Sequence, residues 1–304
     1  IMYNGIMNIY KEAGFTSNDV VAKLRGICRQ KKIGHTGTLD PDAVGVLPVV
    51  LGSGTKLCDM LTDWNKEYIA QLQLGVVTDT QDMSGTILSK AGEEQLAQLT
   101  IEQVTDAILS FQGDYEQIPP MYSALKVGGK KLYELAREGK EIERKPRPVR
   151  IEELEIQSME LPVVMFRVVC SKGTYIRTLC HDIGAKLGCG GAMKSLVRSR
   201  VGIFKVEDAL PLSQVEKLRD EDKISSVIIS PDAVFADCKA VTVLDGSRKM
   251  VENGNVLGNR QIEEKWSLAP GEQVRVYDKT GRFYGMYAWE EPEQLYKPVK
   301  MFLG

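Results

Sequence analysis

The sequence predicts an α+β protein in two parts, a larger mixed part up to about residue 235 and a small β-rich part over 236–304. Three observations carry this. Strand-like and helix-like periodicities interleave through the first part. After about residue 235 the pattern changes to short strands and turns. The 304 residues leave room for about two domains, each able to bury an adequate core.

Taken in order, GIMNIY over 5–10 reads as a short strand. Ser17 stands where it can cap a helix over 18–30, with Val20, Val21, Leu24, Ile27 and Cys28 on one face. GHTGTLDPDAVGVLPVVLGSGTK, 34–56, reads as a glycine-rich loop running into an apolar segment. YIAQLQLG, 68–75, alternates as a strand with Tyr68, Ala70, Leu72 and Leu74 on one face. Thr100 and Gln103 have the spacing of a capping box for a helix carrying Val104, Ala107, Ile108 and Phe111. Two strands follow near 150–157 and 163–170. SKGTYIRTLCHDIGAKLG is a helix signal, capped by Thr174 and ended by Gly188, with Ile176, Leu179, Cys180, Ile183 and Leu187 as its buried stripe. Arg177 falls in its first turn, beside that stripe. VRVYDKTGRFYGMYAW, 274–289, reads as a hairpin turning at DKTG.

Composition narrows the function classes. A hydrophobic share of 43% and a charged share of 26% suit a soluble globular chain. No apolar run approaches the roughly 18 residues that span a bilayer, and IMYNGIMNIYKEAG lacks the basic-then-apolar order of a secretion signal. A cytoplasmic protein without membrane contact is expected. The six cysteines form no CxxC pair and there are only two histidines, His35 and His181, so free thiols and no metal site are expected. The net charge of −2 does not announce a nucleic-acid binder. Its distribution is more informative: residues 126–150 hold nine Lys/Arg against four Glu, a local charge of +5. That stretch reads either as a solvated helix pairing Glu134 and Glu138 with Lys130 and Arg137, or as a basic arm closing over a polyanion.

Several chemistries fail on the residues present. GSGTK departs from the Walker pattern because leucine follows Lys56, and GxGxxG also fails there. No GxSxG elbow or HExxH helix occurs. A glycosidase needs two carboxylates across a sugar, and Asp42 is too near Asp40 in sequence to face it. Asp40 in its Thr-Leu-Asp-Pro bend is then either a turn device or a reagent. As a reagent it must stay ionised when water is excluded, which calls for an arginine from elsewhere in the chain. GTYIRT offers Arg177.

GHTGTLDPDAVGVLPV resembles the motif of the TruB family, bacterial tRNA pseudouridine synthases acting on the T-loop uridine at position 55 of tRNA. KEY at 66–68 is similar to the family's Lys-x-Tyr motif, LGVVTDTQDMSG to its following strand and loop, and PPMYSALKVGGKKLYELAREG to its basic RNA-gripping insertion. SKGTYIRTLCHDIGAKLGCGG resembles its arginine motif and SLVRSRVGIF its later Leu/Arg strand, in the same order from about residue 5 to 210. The end of the chain, with GMY and KPVKMF, resembles a PUA domain.

The resemblance implies a mixed, mainly antiparallel sheet flanked by helices, with the cleft across the sheet. It implies a catalytic domain over 1–235, including an insertion at about 120–150, and a PUA-like RNA-binding domain over 236–304. Asp40 becomes the catalytic aspartate, Tyr68 the residue that stacks on the base and assists proton removal from C5, and Arg177 the partner of Asp40. His35 sits under the extruded nucleotide, Leu196 packs at the base edge, and Tyr175 and Lys66 support the site. Lys130 and Lys131 belong to the RNA-gripping insertion. The reaction is an isomerisation that needs no cofactor. Asp40 attacks C1′, attacks C6 or removes the C2′ proton, the last being favoured for the family. The implied partner is tRNA, held at the T-arm and acceptor end by a monomer with no obligate protein partner. The alternatives are a tRNA-folding chaperone with incidental modification, and a guide-RNA-dependent dyskerin-like synthase.

Two departures stand out. Asp42 replaces an apolar residue and Val44 a threonine, and NIYKEAGFTSNDVV differs at Lys11-Glu12 and Asn18. Asp42 is expected to face solvent or a basic neighbour.

Overall fold

The computed structural model describes residues 2–303. Strand β1 (Gly5–Lys11) leads into helix α1 (Ser17–Cys28), the short strand β2 (Ile33–His35) and the apolar strand β3 (Val44–Leu51). Thr16, not Ser17, caps α1. Its hydroxyl accepts from Asp19 N at 3.0 Å, while the Asp19 carboxylate accepts from Thr16 N at 2.8 Å. Ser17 turns inward, and its Oγ accepts from Leu39 N at 2.9 Å, which fastens the loop before Asp40.

Next come β4 (Lys66–Leu74), α2 (Ile101–Leu109), β5 (Gly113–Gln117), β6 (Arg147–Glu160), β7 (Val163–Cys170), α3 (Ile176–Leu187) and β8 (Gly191–Val201). The strands lie in the order β1-β3-β8-β4-β7-β6-β5, with β2 beside β3 and a short strand Phe204–Lys205 beside β8. All pairs in this sheet are antiparallel except β3 with β8. Gly45 sits at that parallel join with φ 112°, and a Cβ there would lie 2.2 Å from Arg198 O, so only glycine allows the backbones to approach.

Central β4 buries every second residue, including Tyr68, Ala70, Leu72 and Leu74. These side chains pack with Val104 and Ile108 of α2 and with Ile176, Leu179, Cys180 and Ile183 of α3. Each full aliphatic burial of this kind stabilises by roughly 1.5–3 kcal/mol. Helix α3 comes very close to β8, since a Cβ on Gly184 would meet Gly191 N at 2.1 Å. The expected Thr174 cap is not formed. Thr174 Oγ1 donates to Ser171 O at 2.8 Å instead, the N-cap is Tyr175, and Gly188 ends the helix at φ 76°.

The basic segment is neither one helix nor an extended arm. Lys126–Val127 and Lys130–Lys131 form a small hairpin, Leu132–Arg137 a short helix anchored by buried Leu132 and Leu135, and 138–146 no regular structure.

The second sheet holds β9 (Lys239–Val243), β10 (Leu257–Gly258), β11 (Gln273–Asp278), β12 (Phe283–Glu290) and β13 (Leu295–Met301), ordered β9-β11-β12-β13-β10. The β11–β12 turn closes at DKTG, where Asp278 Oδ1 accepts from Thr280 N and Arg282 N. Met286 and Phe302 join Ile6, Val46 and Val50 in one apolar cluster, so this sheet is packed onto the first. Lys56 Nζ reinforces the seam by donating to Met301 O at 3.1 Å. Among the described residues no helix is long and apolar enough to cross a membrane.

Candidate active site

Asp40 lies on the loop between β2 and β3, in a turn closed by Ala43 N donating to Asp40 O at 3.1 Å. The loop is held from two sides. Buried Lys11, at the end of β1, donates through Nζ to Phe15 O at 2.6 Å, Pro41 O at 3.0 Å and Glu12 O at 3.1 Å. Burial pushes this ammonium down to about 8, against the opposing pull of the Asp40 and Asp42 carboxylates. From the sheet, Arg198 donates to Val46 O at 2.8 Å, Gly37 O at 3.1 Å and Thr38 O at 3.5 Å. Asp42 is exposed, as expected, with Lys11 as its basic neighbour.

Arg177 reaches this loop from the first turn of α3. Its Nε lies 2.7 Å from Asp40 Oδ2, and its Nη2 donates to Asp40 Oδ1 at 3.4 Å. The guanidinium is otherwise used by two backbone carbonyls, Thr80 O at 3.0 Å and Tyr122 O at 2.8 Å, with Asp82 Oδ2 at 4.0 Å from Nε. Only 5% of the arginine side chain is exposed, against 39% of the aspartate. The arginine is therefore a buried clamp held by several partners, and the carboxylate keeps an open side.

That side faces a cavity of about 330 Å³, within the usual range for a small-molecule site. Tyr68 and Leu196 line it, and the register of β4 against β8 sets Tyr68 opposite Arg198 and Leu196 opposite Ala70, so these residues share one face. Burial raises the Tyr68 phenol above its ordinary range, so it is protonated at neutral pH. Lys66 is also on the wall, its ammonium donating to Thr62 O and to Trp64 O and pushed down to about 8 by burial. Tyr175 lines the cavity, with its phenol raised by burial. Two buried hydroxyls on the same wall, Thr36 Oγ1 and Ser123 Oγ, find no hydrogen-bond partner of good geometry among the described residues.

Six of the sequence-designated residues thus share one cavity: Asp40, Tyr68, Arg177, Leu196, Tyr175 and Lys66. His35 stands just outside, one residue before the wall begins at Thr36, and burial with the Arg198 charge holds its imidazole below its ordinary value, hence neutral. Lys130 and Lys131 are in the small hairpin, Lys130 paired with Glu138 at 3.2 Å and Lys131 with Tyr133 Oη at 3.3 Å. Sequence reasoning missed Lys11, Arg198 and the carbonyls of Thr80 and Tyr122. For Arg198 there was a signal, since it stands two residues after Leu196 on an inward face. Among the described residues, no cluster of three or more His, Cys, Asp or Glu side chains suited to a metal is present.

Comparison with known proteins adds an independent line. Residues 25–176 match the model of the TruB family pseudouridylate synthase N-terminal domain, and 177–236 that of the tRNA pseudouridylate synthase B C-terminal domain. The chain is 50% identical to tRNA pseudouridine synthase B of Lachnoclostridium phytofermentans, over 99% of this chain and 100% of that one. It is 44% identical to the protein of the same name from Clostridium novyi, over 93% and 94% of the two chains. A crystal structure of a Cbf5-Nop10-Gar1 complex matches with a TM-score of 0.73 at 26% identity, over 98% of this chain and 84% of that one. A structure of an H/ACA RNP bound to a substrate RNA containing 2′-deoxyuridine matches in fold with the same TM-score at 24% identity, over 99% and 85%.

Proposed function

Since this chain belongs to the TruB family of pseudouridylate synthases and is a tRNA pseudouridine synthase, we propose that its target is the T-loop uridine at position 55 and that Asp40 carries the chemistry. One observation supports this best: Asp40, clamped by buried Arg177, opens onto a nucleoside-sized cavity floored by Tyr68. Arg177 holds both carboxylate oxygens of Asp40 and so keeps them oriented toward the cavity when RNA covers it.

The reaction breaks N1–C1′, turns the base and joins C5 to C1′. The proton on C5 is lost and N1 gains one, so nothing is oxidised and no group leaves. An ionised Asp40 serves bond breaking by attack on C1′ or C6 or by taking the C2′ proton, the last being the glycal route that the resemblance favours. Everting the uridine costs a few kcal/mol, and stacking on Tyr68 returns roughly 1–3 kcal/mol. A protonated Tyr68 is first a platform; as a relay it takes the C5 proton while its own passes to solvent, from which N1 takes up a proton, so the count of protons is unchanged. His35 supports the everted nucleotide from beneath, Leu196 packs on its edge, and Tyr175 and Lys66 support the wall.

Residues 1–235 form the catalytic domain on this reading. The segment at about 120–150 grips the T-arm through Lys130 and Lys131, whose surface partners are exchanged cheaply for phosphate. Residues 236–304 act as a PUA-like module near the acceptor end. The enzyme works in the cytoplasm as a monomer without an obligate protein partner. Incubation with an unmodified tRNA transcript, followed by mapping of pseudouridine, tests target and activity together. Asp40→Asn should bind tRNA within about threefold of wild type and form no product; near-normal turnover would refute the assignment.

A further inference from the structure

Four cationic side chains line the cavity: Lys66, Lys172, Arg177 and Arg198. Three are buried and tied into the protein by several hydrogen bonds each. Lys66 donates to two carbonyls, Arg198 to three, and Arg177 to two carbonyls and Asp40. They are buried, with exposures of 7%, 2% and 4% for Lys66, Arg198 and Arg177. None of them is free to meet an RNA phosphate without abandoning the scaffold of the site.

Lys172 differs. It sits in the loop between β7 and α3, its side chain 60% exposed, and its only ionic partner among the described residues is Asp63 at 2.6 Å, itself 62% exposed. Such an exposed pair adds little to stability and exchanges readily. The loop runs into an α3 end that has no side-chain cap and no acid in its first turn, so the backbone field there also favours an anion. A nucleotide entering the cavity carries phosphates that cannot follow the base into the apolar floor of Tyr68, Leu39, Ile176 and Leu196. They must stop at the rim.

We propose that Lys172 is the phosphate anchor at the cavity rim, and that Asp63 is a built-in competitor occupying it until RNA arrives. This deepens the functional reading above and rests on it. The exchange forms one ion pair and breaks one, with no covalent step. It makes Asp63 an acidic residue whose removal should improve RNA binding, the reverse of what a structural partner of Lys172 would do.

The test uses the full-length protein, an unmodified tRNA transcript and fluorescence anisotropy across a salt series. Lys172→Met keeps the aliphatic length and should raise Kd about three- to tenfold at 0.1 M salt, lower the salt slope by about 1, and leave kcat at saturating RNA within twofold. Asp63→Asn should tighten Kd about two- to fivefold, and that gain should vanish in the double variant. Glu221→Gln, from an exposed pair with Lys223 that lines no part of the cavity, is the control for general charge and should change Kd by less than the Asp63 variant. Both ion-pair variants should melt within 2 °C of wild type, because the pair is exposed. An unchanged salt slope in Lys172→Met, weaker binding by Asp63→Asn, or an equal gain from Glu221→Gln overturns the proposal. The wild type is assayed for pseudouridine on the same transcript. If it forms none, the functional reading has failed; if it does and the slopes do not move, only the anchor has.

Discussion

Arg198→Met is the sharpest test of how the site is held. The residue is fully buried, and methionine keeps its aliphatic stem but not the guanidinium plane, so the change removes the donors and leaves a small void in their place. Three carbonyls lose a partner. Val46 O, at 2.8 Å, lies in the buried core of β3 and is left unpaired at a cost of about 1–3 kcal/mol. Gly37 O, at 3.1 Å, is half-buried and recovers part of its loss from water, and Thr38 O, at 3.5 Å on an exposed residue, contributes least. Removing a desolvated guanidinium returns some energy. The net loss is about 2–4 kcal/mol, inside the 5–15 kcal/mol of a typical domain, so the variant still folds. Urea unfolding measures it. The rate should suffer more than the stability. Gly37 and Thr38 precede Asp40 with only Leu39 between, and if Asp40 is the reacting group as proposed, a shift of about 1 Å costs on the order of 100-fold. Single-turnover assays with a tRNA transcript should therefore show a roughly 100-fold slower chemical step, with Kd changed less than threefold. A variant that loses under about 1 kcal/mol and keeps its rate within twofold would refute the view that Arg198 positions the Asp40 loop.

Other outcomes follow from the same geometry. Lys11 has a folded pKa of about 8, below the ordinary 10.5. The unfolded chain therefore binds more protons between these values, and the group's contribution to stability rises with pH through that window, by on the order of 2 kcal/mol from pH 8 to 10. Urea unfolding should show the stability gap between wild type and Lys11→Met widening over that range, and a constant gap would contradict it. Gly45→Ala drives a Cβ to 2.2 Å from Arg198 O at a positive φ, and thermal unfolding should show a loss of about 3 kcal/mol or failure to fold. Tyr68→Phe keeps the stacking platform and loses the hydroxyl, so RNA affinity should hold within threefold while the rate of product formation falls at least tenfold.

Much of this was readable before any coordinates. The alternation of 68–75, the Thr100–Gln103 box and the DKTG turn rest on interactions within a few residues, and all three are present; of the α3 stripe, Ile176, Leu179, Cys180 and Ile183 are buried and Leu187 is only half-buried. The pairing of Asp40 with an arginine followed from the chemistry of a covered carboxylate, and the observed partner is Arg177. What stayed hidden depends on tertiary placement. Thr16 and Ser17 are adjacent hydroxyls, and only the dihedral at Thr16 and the arrival of Leu39 decide which one caps the helix. Lys11 ends an apolar strand and reads as a solvent-facing lysine; its burial is decided by carbonyls at 12, 15 and 41 that converge only after folding. The parallel join of β3 and β8 is equally silent, since its key residue, Gly45, looks like one more loop glycine.

The clamp on Asp40 spans 137 positions of sequence, and the irregular stretch 138–146 lies between its two halves. Severing the chain in that stretch would put the acid on one polypeptide and the guanidinium on the other, each inert alone. If Asp40 carries the chemistry as proposed, the co-expressed pieces would regain turnover only on docking, a fragment complementation whose signal is a modified nucleoside.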